Sequence, residues 1–233
     1  MKVLSLFSGG GLGDYGLELA GMEIVGQIEI DDYCQKILKL RWPDVPKWRD
    51  IRDVTGKEIK CDVISGGFPC QDVSAGGSRK GLDGDKSGLW REMFRIISVA
   101  RPEYVIVENV ATLLFRGLAD VLTNFSSIGY DTEWETFSSR PFGTNHKRIR
   151  TWVIAYPASK RLERRVFTKE AWKIRPKVAA CDWWTAENRI LRKSDRATDW
   201  IPKSKIIGNG QVVQVVEWIG KRIMEFEIMK EKV

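Results

Sequence analysis

Apolar positions in this chain come in short runs separated by stretches of helical periodicity. Val3 to Phe7 reads as a strand, followed by a Gly-rich turn and a helical pattern around Gly13 to Ala20. Glu23 to Ile30 reads as the next strand. Asp31, a short acceptor just before Cys34, Ile37, Leu38 and Arg41, is a helix N-cap candidate. Asp62 to Ser65 and Tyr104 to Val107 are continuous apolar runs, as strands covered on both faces should be. Between them Leu89 to Ile97 has helical periodicity. Leu118 to Phe125 repeats it, and Ile149 to Tyr156 is again strand-like. Strand and helix alternating in this rhythm predict an α/β domain with a largely parallel sheet. After Tyr156-Pro157 the pattern weakens. It returns at Val212-Val213, Val215-Val216 and Trp218-Ile219 as an amphipathic C-terminal helix. The expected organisation is an α/β core over 1–156, a small Trp-rich segment over 157–205, and a helix over 206–233 that returns to the core.

Composition narrows the class. With 233 residues and 43% hydrophobic content, the chain can bury a full core. No apolar run approaches the roughly 18 residues that span a bilayer, and Met1 to Leu6 lacks a signal-peptide h-region and cleavage site. A cytoplasmic protein with no membrane partner is expected. The cysteines Cys34, Cys61, Cys70 and Cys181 are widely spaced, with no CxxC pair, and His146 is the sole histidine. That pattern speaks against a disulfide framework and against a zinc site, so no metal is expected. Charge is unevenly placed. Between Ala158 and Lys205 stand 14 Lys and Arg against 6 Asp and Glu, a local excess larger than the whole-chain net of +7. Interleaved with them are Trp172, Trp183, Trp184 and Trp200, a mixture suited to phosphates and bases. Lys160, Arg161, Arg164 and Arg165 are the candidate phosphate contacts.

The segment Gly66-Gly67-Phe68-Pro69-Cys70-Gln71-Asp72-Val73-Ser74 sets a cysteine in a Gly- and Pro-shaped turn straight after a buried strand. A thiol so presented is placed as a nucleophile rather than a core filler. Tyr104 to Val107 leads in the same way into Glu108-Asn109-Val110, a carboxylate beside a carboxamide. Phe7-Ser8-Gly9-Gly10-Gly11-Leu12-Gly13 follows the first strand, where glycines let backbone approach a ligand. Glu29 ends the second strand, the usual place for an acid that takes ribose hydroxyls, and Asp50 stands near the end of a possible third.

Together these pieces resemble the cytosine-C5 DNA methyltransferase family. The elements in order are Phe7-Ser8-Gly9-Gly10-Gly11, Pro69-Cys70-Gln71, Glu108-Asn109-Val110, Arg148-Ile149-Arg150 and Gly208-Asn209-Gly210. The resemblance covers residues 1–156 and about 207–222. It implies a Rossmann-like S-adenosylmethionine-dependent sheet with helices on both faces and a small basic target-recognition segment. It implies the activity of a DNA (cytosine-5-)-methyltransferase acting on a flipped cytosine in duplex DNA. Cys70 matches the nucleophile that adds to cytosine C6. Glu108 matches the acid that engages N3 and the amino group, and Asn109 would hold the turn or the base edge. Arg150 matches the arginine that binds O2, with Arg148 supporting Cys70, Glu108 or a phosphate. S-adenosylmethionine would be held by Phe7, Ser8, Gly9, Gly10, Gly11 and Leu12, by Glu29 with Ile30 and Asp50 with Ile51, by Gly67, Pro69 and Leu89, and by Asn209 and Gly210. DNA would meet Gln71, Ser74, Arg79, Lys80, Arg164 and Arg165. A monomer is expected, either with a cognate restriction endonuclease or as an orphan.

Three departures stand out. His146 occupies a position that is usually Gln, and Ile30 stands where an aromatic is common. The variable region after Tyr156 is short for target recognition. Such compactness resembles phage or mobile-element members, and implies a short or relaxed site or reliance on a partner. An RNA cytosine methyltransferase, a catalytically silent DNA-binding relic and an NAD-binding oxidoreductase are the competing readings. The last leaves the thiol, acid and arginine elements unaccounted for.

Overall fold

Short apolar runs become strands here because each is bounded by a Gly, Asp or Pro turn and covered by a helix. The computed structural model describes residues 1–58, 60–69, 88–144, 147–160, 166–173 and 210–230. In chain order these form β1 (Lys2–Leu6), α1 (Leu12–Leu19), β2 (Glu23–Ile28), α2 (Asp32–Arg41), β3 (Lys47–Trp48), β4 (Val63–Gly66) and α3 (Gly88–Ala100). Then follow β5 (Tyr104–Val110), α4 (Leu113–Arg116), α5 (Leu118–Ser127), β6 (Tyr130–Ser138), β7 (Ile149–Pro157), α6 (Lys169–Lys173) and α7 (Val213–Lys230). The strands make one sheet in the order β3-β2-β1-β4-β5-β7-β6. All neighbours from β3 to β5 pair in parallel, while β7 runs antiparallel between β5 and β6. The winding reverses direction between β1 and β4. In open α/β sheets the crevice beyond the carboxyl ends of such strands is where ligands bind.

Both faces of the sheet are covered. One carries Val3, Val63, Ile106 and Ile154 against α1 and α7; the other carries Leu4, Ile64, Val105 and Val153 against α3 and α5. α2 starts where expected, with Asp31 Oδ1 accepting the N–H groups of Tyr33 and Cys34 at 3.0 Å. The buried residues Val212, Val215, Val216, Ile219, Ile223 and Phe226 recur every three or four positions, which makes α7 an amphipathic helix seated on the core. Its contact with α1 is close. A Cβ at Gly16 would stand 2.7 Å from the Val213 carbonyl oxygen and 2.8 Å from Val216 Cβ.

β6 is the strand that the apolar pattern does not announce. Asp131, Glu133 and Glu135 interrupt it, as an edge strand allows. Glu133 is nonetheless buried, and its carboxylate accepts the backbone N–H of Val166 at 3.2 Å and of Phe167 at 3.3 Å. Those bonds tie the chain beyond β7 to the sheet. Two members of the basic segment have structural partners. The Trp172 ring packs edge-on to Phe137 with centroids 4.7 Å apart and lies 5.3 Å from Trp218, so it is a core aromatic rather than a platform for bases. Lys160, expected on phosphate, is mostly buried at the opposite end of the sheet from Glu108. Its ammonium pairs with Glu103 and with Glu227 (2.9 Å) and stands 4.0 Å from the Tyr104 ring centre. A cation so enclosed is committed to holding α7 against β5.

Gly16→Ala weighs propensity against space. Alanine gains about 1 kcal/mol in a helix interior, whereas overpacking a close helix contact costs about 1–3 kcal/mol. Net destabilisation is expected as a lower urea midpoint; a raised midpoint would refute the close contact. Lys160→Ala is expected to lower stability by about 1 kcal/mol, read as a lower urea midpoint, because it removes a largely enclosed cation from two partly exposed carboxylates and from the Tyr104 ring.

Candidate active site

Period-two alternation places Glu108 and Arg150 on the same face of neighbouring strands. Glu108 lies opposite Trp152 and Arg150 opposite Val110, so acid and guanidinium are diagonal neighbours. Arg150 Nε is 2.9 Å from Glu108 Oε1, and Arg148 Nη2 is 3.9 Å from the same oxygen. Glu108 is only 6% exposed. An unaccompanied buried carboxylate would be costly by several kcal/mol, and the two arginines make its ionised form tolerable. Burial is the larger influence and raises its pKa above the usual carboxylate value; Arg150 and then Arg148 oppose it. The Arg150 contact is an ion pair at hydrogen-bond distance, and Oε1 is itself buried. Arg148 also donates to the Gly210 carbonyl at 2.8 Å, bringing the entrance to α7 to the acid.

The next residue faces the other side and fixes the segment that follows β4. Asn109 Nδ2 donates to the Phe68 carbonyl at 3.1 Å, and its Oδ1 accepts the Val110 N–H at 2.8 Å. The Phe68 side chain is buried with its ring centre 5.3 Å from that of Trp90, whose Nε1 donates to Asn124 at 2.8 Å. Gly67 is pressed on Glu108: a Cβ there would stand 2.9 Å from Oε2. The turn leading into Cys70 is thus anchored through an aromatic ring, a carbonyl and a glycine. Phe68 was not among the expected site residues, although its place between glycine and proline could have suggested an anchor. Gln211 directly follows the expected Asn209-Gly210 element. Its carboxamide fills the space that a side chain at Gly13 would need and reaches toward Gly67.

At the carboxyl ends of β1 and β2 the chain forms a polar cradle. Phe7 and Gly9 both have φ of 55°, and a Cβ at Gly9 would point into open space. Glu29 Oε2 accepts the Gly9 N–H at 2.7 Å and Oε1 accepts the Asp31 N–H at 2.8 Å, leaving lone pairs for further donors. Ile30, beside it, is 61% exposed. The Gly11 N–H closes the turn on the Ser8 carbonyl at 2.9 Å, Gly10 is buried within it, and Leu12 is buried at the start of α1. Asp50 is less free than expected. Its carboxylate takes the Arg52 side chain at both oxygens, which lowers its pKa to about 2, so an adenine amino group would have to compete with Arg52. Ile51 is buried behind it, and Leu89 packs on the α3 side of the core. Beneath the cradle Asp14, wholly unexpected from the sequence, is buried and accepts Ser5 Oγ at 2.5 Å and Gln27 Nε2 at 2.7 Å.

Cys70, Gln71, Ser74, Arg79, Lys80, Arg164, Arg165 and Asn209 lie outside the described residues, as does His146. Among the described residues no three His, Cys, Asp or Glu side chains are grouped to hold a metal, and no helix is long and apolar enough to cross a membrane. An open cleft at the amino-terminal ends of β1, β2 and β4, lined by Lys2, Glu23, Cys61 and Arg101, is at the far end of the sheet from Glu108.

The sequence matches the family described as C-5 cytosine-specific DNA methylase over residues 1–197. It is 36% identical over 164 residues to the type II methyltransferase M2.BsuMI of Bacillus subtilis (strain 168), a match covering 66% of this chain and 42% of that protein. The chain therefore spans less than half the length of that relative. The Entamoeba histolytica methyltransferase EhMeth superposes with a TM-score of 0.74 at 14% identity, over 100% of this chain and 99% of that one. Schizosaccharomyces pombe Dnmt2 methyltransferase, named in its structure as S. pombe Dnmt2, gives 0.63 at 24% identity, over 77% of this chain and 56% of that one. These likenesses identify the sheet as the Rossmann-like methyltransferase fold. With a buried acid and two arginines beside the Gly67-Phe68-Pro69 segment on that sheet, the chain belongs to the C-5 cytosine-specific DNA methylase family.

Proposed function

We propose that this protein is a DNA (cytosine-5-)-methyltransferase whose nucleophile is Cys70. The observation that carries the reading is the convergence of Glu108, Arg148 and Arg150 beside the Gly67-Phe68-Pro69 turn that leads into that cysteine. Carbon 5 of cytosine is too weakly nucleophilic to be methylated directly. Addition of the Cys70 thiolate to C6 converts the ring to an enamine whose C5 can attack. Glu108 in its protonated form donates to N3 as that nitrogen gains charge, and Arg150 neutralises charge at O2. Nearby arginines favour the thiolate over the thiol. After methylation the C5 proton is lost, the C6–S bond breaks, and Cys70 is regenerated. The base reaches this site only by leaving the duplex stack.

The cradle fits an adenosyl group. Open space above Gly9, an acceptor at Glu29 with lone pairs to spare, and an exposed Ile30 to cover a planar base are the features that support it. S-adenosylmethionine, when bound, supplies the methyl group. Glu29 would accept the ribose hydroxyls, and Gly210 and Asn209 would meet the methionine end. Residues 157–205 act as the target-recognition segment, with Arg164 and Arg165 on phosphates. The type II methyltransferase among its relatives supports a role in restriction-modification, with a cognate endonuclease as partner.

Labelled methyl transfer from S-adenosylmethionine to mixed-sequence duplex DNA is expected to yield 5-methylcytosine with the wild type and none with Cys70→Ala. Transfer to tRNA in place of duplex DNA would favour the RNA reading. Because protonated Glu108 is the active form, single-turnover rates are expected to fall as pH rises through its folded pKa. Arg150→Met removes a cation that lowers this pKa, so the alkaline limb is expected to move to higher pH, whatever the loss in rate. An unmoved limb would detach Glu108 from the titration. Reversing Arg164 and Arg165 to Glu is expected to reduce the slope of log affinity against log salt by about 1 or more per lost phosphate contact.

A further inference from the structure

Asp14 is a buried ionisable group that the reaction above does not use. It is 2% exposed in the first turn of α1, with its carboxylate directed at β1 and β2 rather than at solvent. Ser5 Oγ donates to Oδ1 at 2.5 Å and Gln27 Nε2 donates to Oδ2 at 2.7 Å. Ser8, in the cofactor loop itself, directs its hydroxyl at Ser5, where Oγ at 2.9 Å is the nearer acceptor and the backbone carbonyl at 3.2 Å the other. The chain of donors thus runs from the loop to Ser5 and from Ser5 to Asp14. Two donors facing two oxygens is the arrangement that an ionised carboxylate requires. It also commits the single hydroxyl proton of Ser5 to Asp14, so that Ser5 can only accept from Ser8.

Gln27 makes this arrangement two-sided. Its Oε1 is buried with no hydrogen-bond partner, an uncompensated cost while its Nε2 serves Asp14. If Asp14 gains a proton on Oδ2, turning the Gln27 amide presents Oε1 to accept it. The unmet acceptor is then satisfied, and Ser5 faces a neutral carboxyl instead of a charge. Charge-assisted hydrogen bonds are roughly twice as strong as neutral ones, so the hold on the Ser5 hydroxyl weakens. We propose that Asp14 is a positioning residue for the cofactor loop: ionised, it fixes the Ser8 hydroxyl through Ser5, and protonated, with the Gln27 amide turned, it releases that hydroxyl and weakens S-adenosylmethionine binding. This rests on the cofactor assignment made above.

The surroundings put the change within reach. Burial raises the Asp14 pKa from 3.8 to about 6, against the two hydrogen bonds that lower it. Glu18 on the next turn of α1 and Glu29 at the end of β2 raise it further, while the Lys47 ammonium on β3 feels the opposite charge. β1 presents Ser5, and α7 presents Val213 and Val216 to α1. A folded pKa above the unfolded one means that the folded state takes up the proton first. This group therefore adds stability as pH falls from about 6 toward 3.8. Weaker cofactor binding in that window would not arise from unfolding driven by Asp14.

Two readouts test the relay. In the ligand-free protein, the Ser8 backbone amide shift is expected to titrate with a midpoint near that of Asp14, and not to do so in Asp14→Asn or Ser5→Ala. By calorimetry, affinity for S-adenosylmethionine is expected to be about tenfold weaker near pH 5 than near pH 7.5, the factor for one obligatory deprotonation. Asp14→Asn, a mimic of the protonated form whose amide Gln27 Oε1 can accept, is expected to bind weakly and without pH dependence. Ser5→Ala is expected to lose about three- to tenfold near pH 7.5, the worth of one hydrogen bond. A Ser8 amide that ignores this pH range, or wild-type affinity with unchanged pH dependence in Asp14→Asn, overturns the proposal. A Ser8 titration that Asp14→Asn abolishes, in a protein that binds no S-adenosylmethionine at any pH, upholds the relay and removes the cofactor assignment instead.

Discussion

A carboxylic acid buried between two arginines governs the catalytic end of this molecule. Glu108 is almost fully buried with Arg150 in contact and Arg148 behind it, and β7, antiparallel to β5, carries Arg150 to it. The same acid leaves no room for a side chain at Gly67, which sets how closely the Gly67-Phe68-Pro69 segment passes. Arg148 extends the constraint to Gly210 and so to the start of α7. One buried charge thereby links β4, β5, β7 and the C-terminal helix.

The cofactor end follows a parallel logic on the other side of the winding reversal. Glu29 holds the glycine loop from above by accepting the Gly9 N–H, and the Asp14 network holds it from below through Ser5 and Ser8. α1, which carries Asp14, is in turn pinned by α7 at Gly16. Loop, helix and sheet therefore behave as one unit, and a change in any of them is felt at the cradle. The far pole has a purely mechanical part, in which Lys160 binds Glu103 and Glu227 beside the Tyr104 ring.

Much of this was legible in the sequence, for physical reasons. Buried parallel strands leave unbroken apolar runs, so β4 and β5 stood out, and Asp31 announced its helix because an N-cap needs a short acceptor. The elements at Gly9, Pro69 and Glu108 stood out because glycine, proline and a lone acid interrupt or follow unbroken apolar runs. β6 was not, since an edge strand tolerates Asp131 and Glu135. Trp172 and Lys160 misled because composition records only that aromatic and basic residues are present, and both face inward. Asp14 was illegible: its position matters through Ser5 and Gln27 on neighbouring strands, which no local pattern reveals.

The proposed reaction requires Cys70 to form a covalent bond to cytosine C6 that persists until the C5 proton leaves. Replacing cytosine by 5-fluorocytosine in mixed-sequence duplex DNA removes that proton, so the adduct cannot resolve once methyl has been transferred. Incubation with S-adenosylmethionine should then give a protein–DNA complex that survives denaturing electrophoresis and is absent with Cys70→Ala. Binding of the fluorinated duplex and cofactor without any such complex, or a complex that forms equally well with Cys70→Ala, would contradict it.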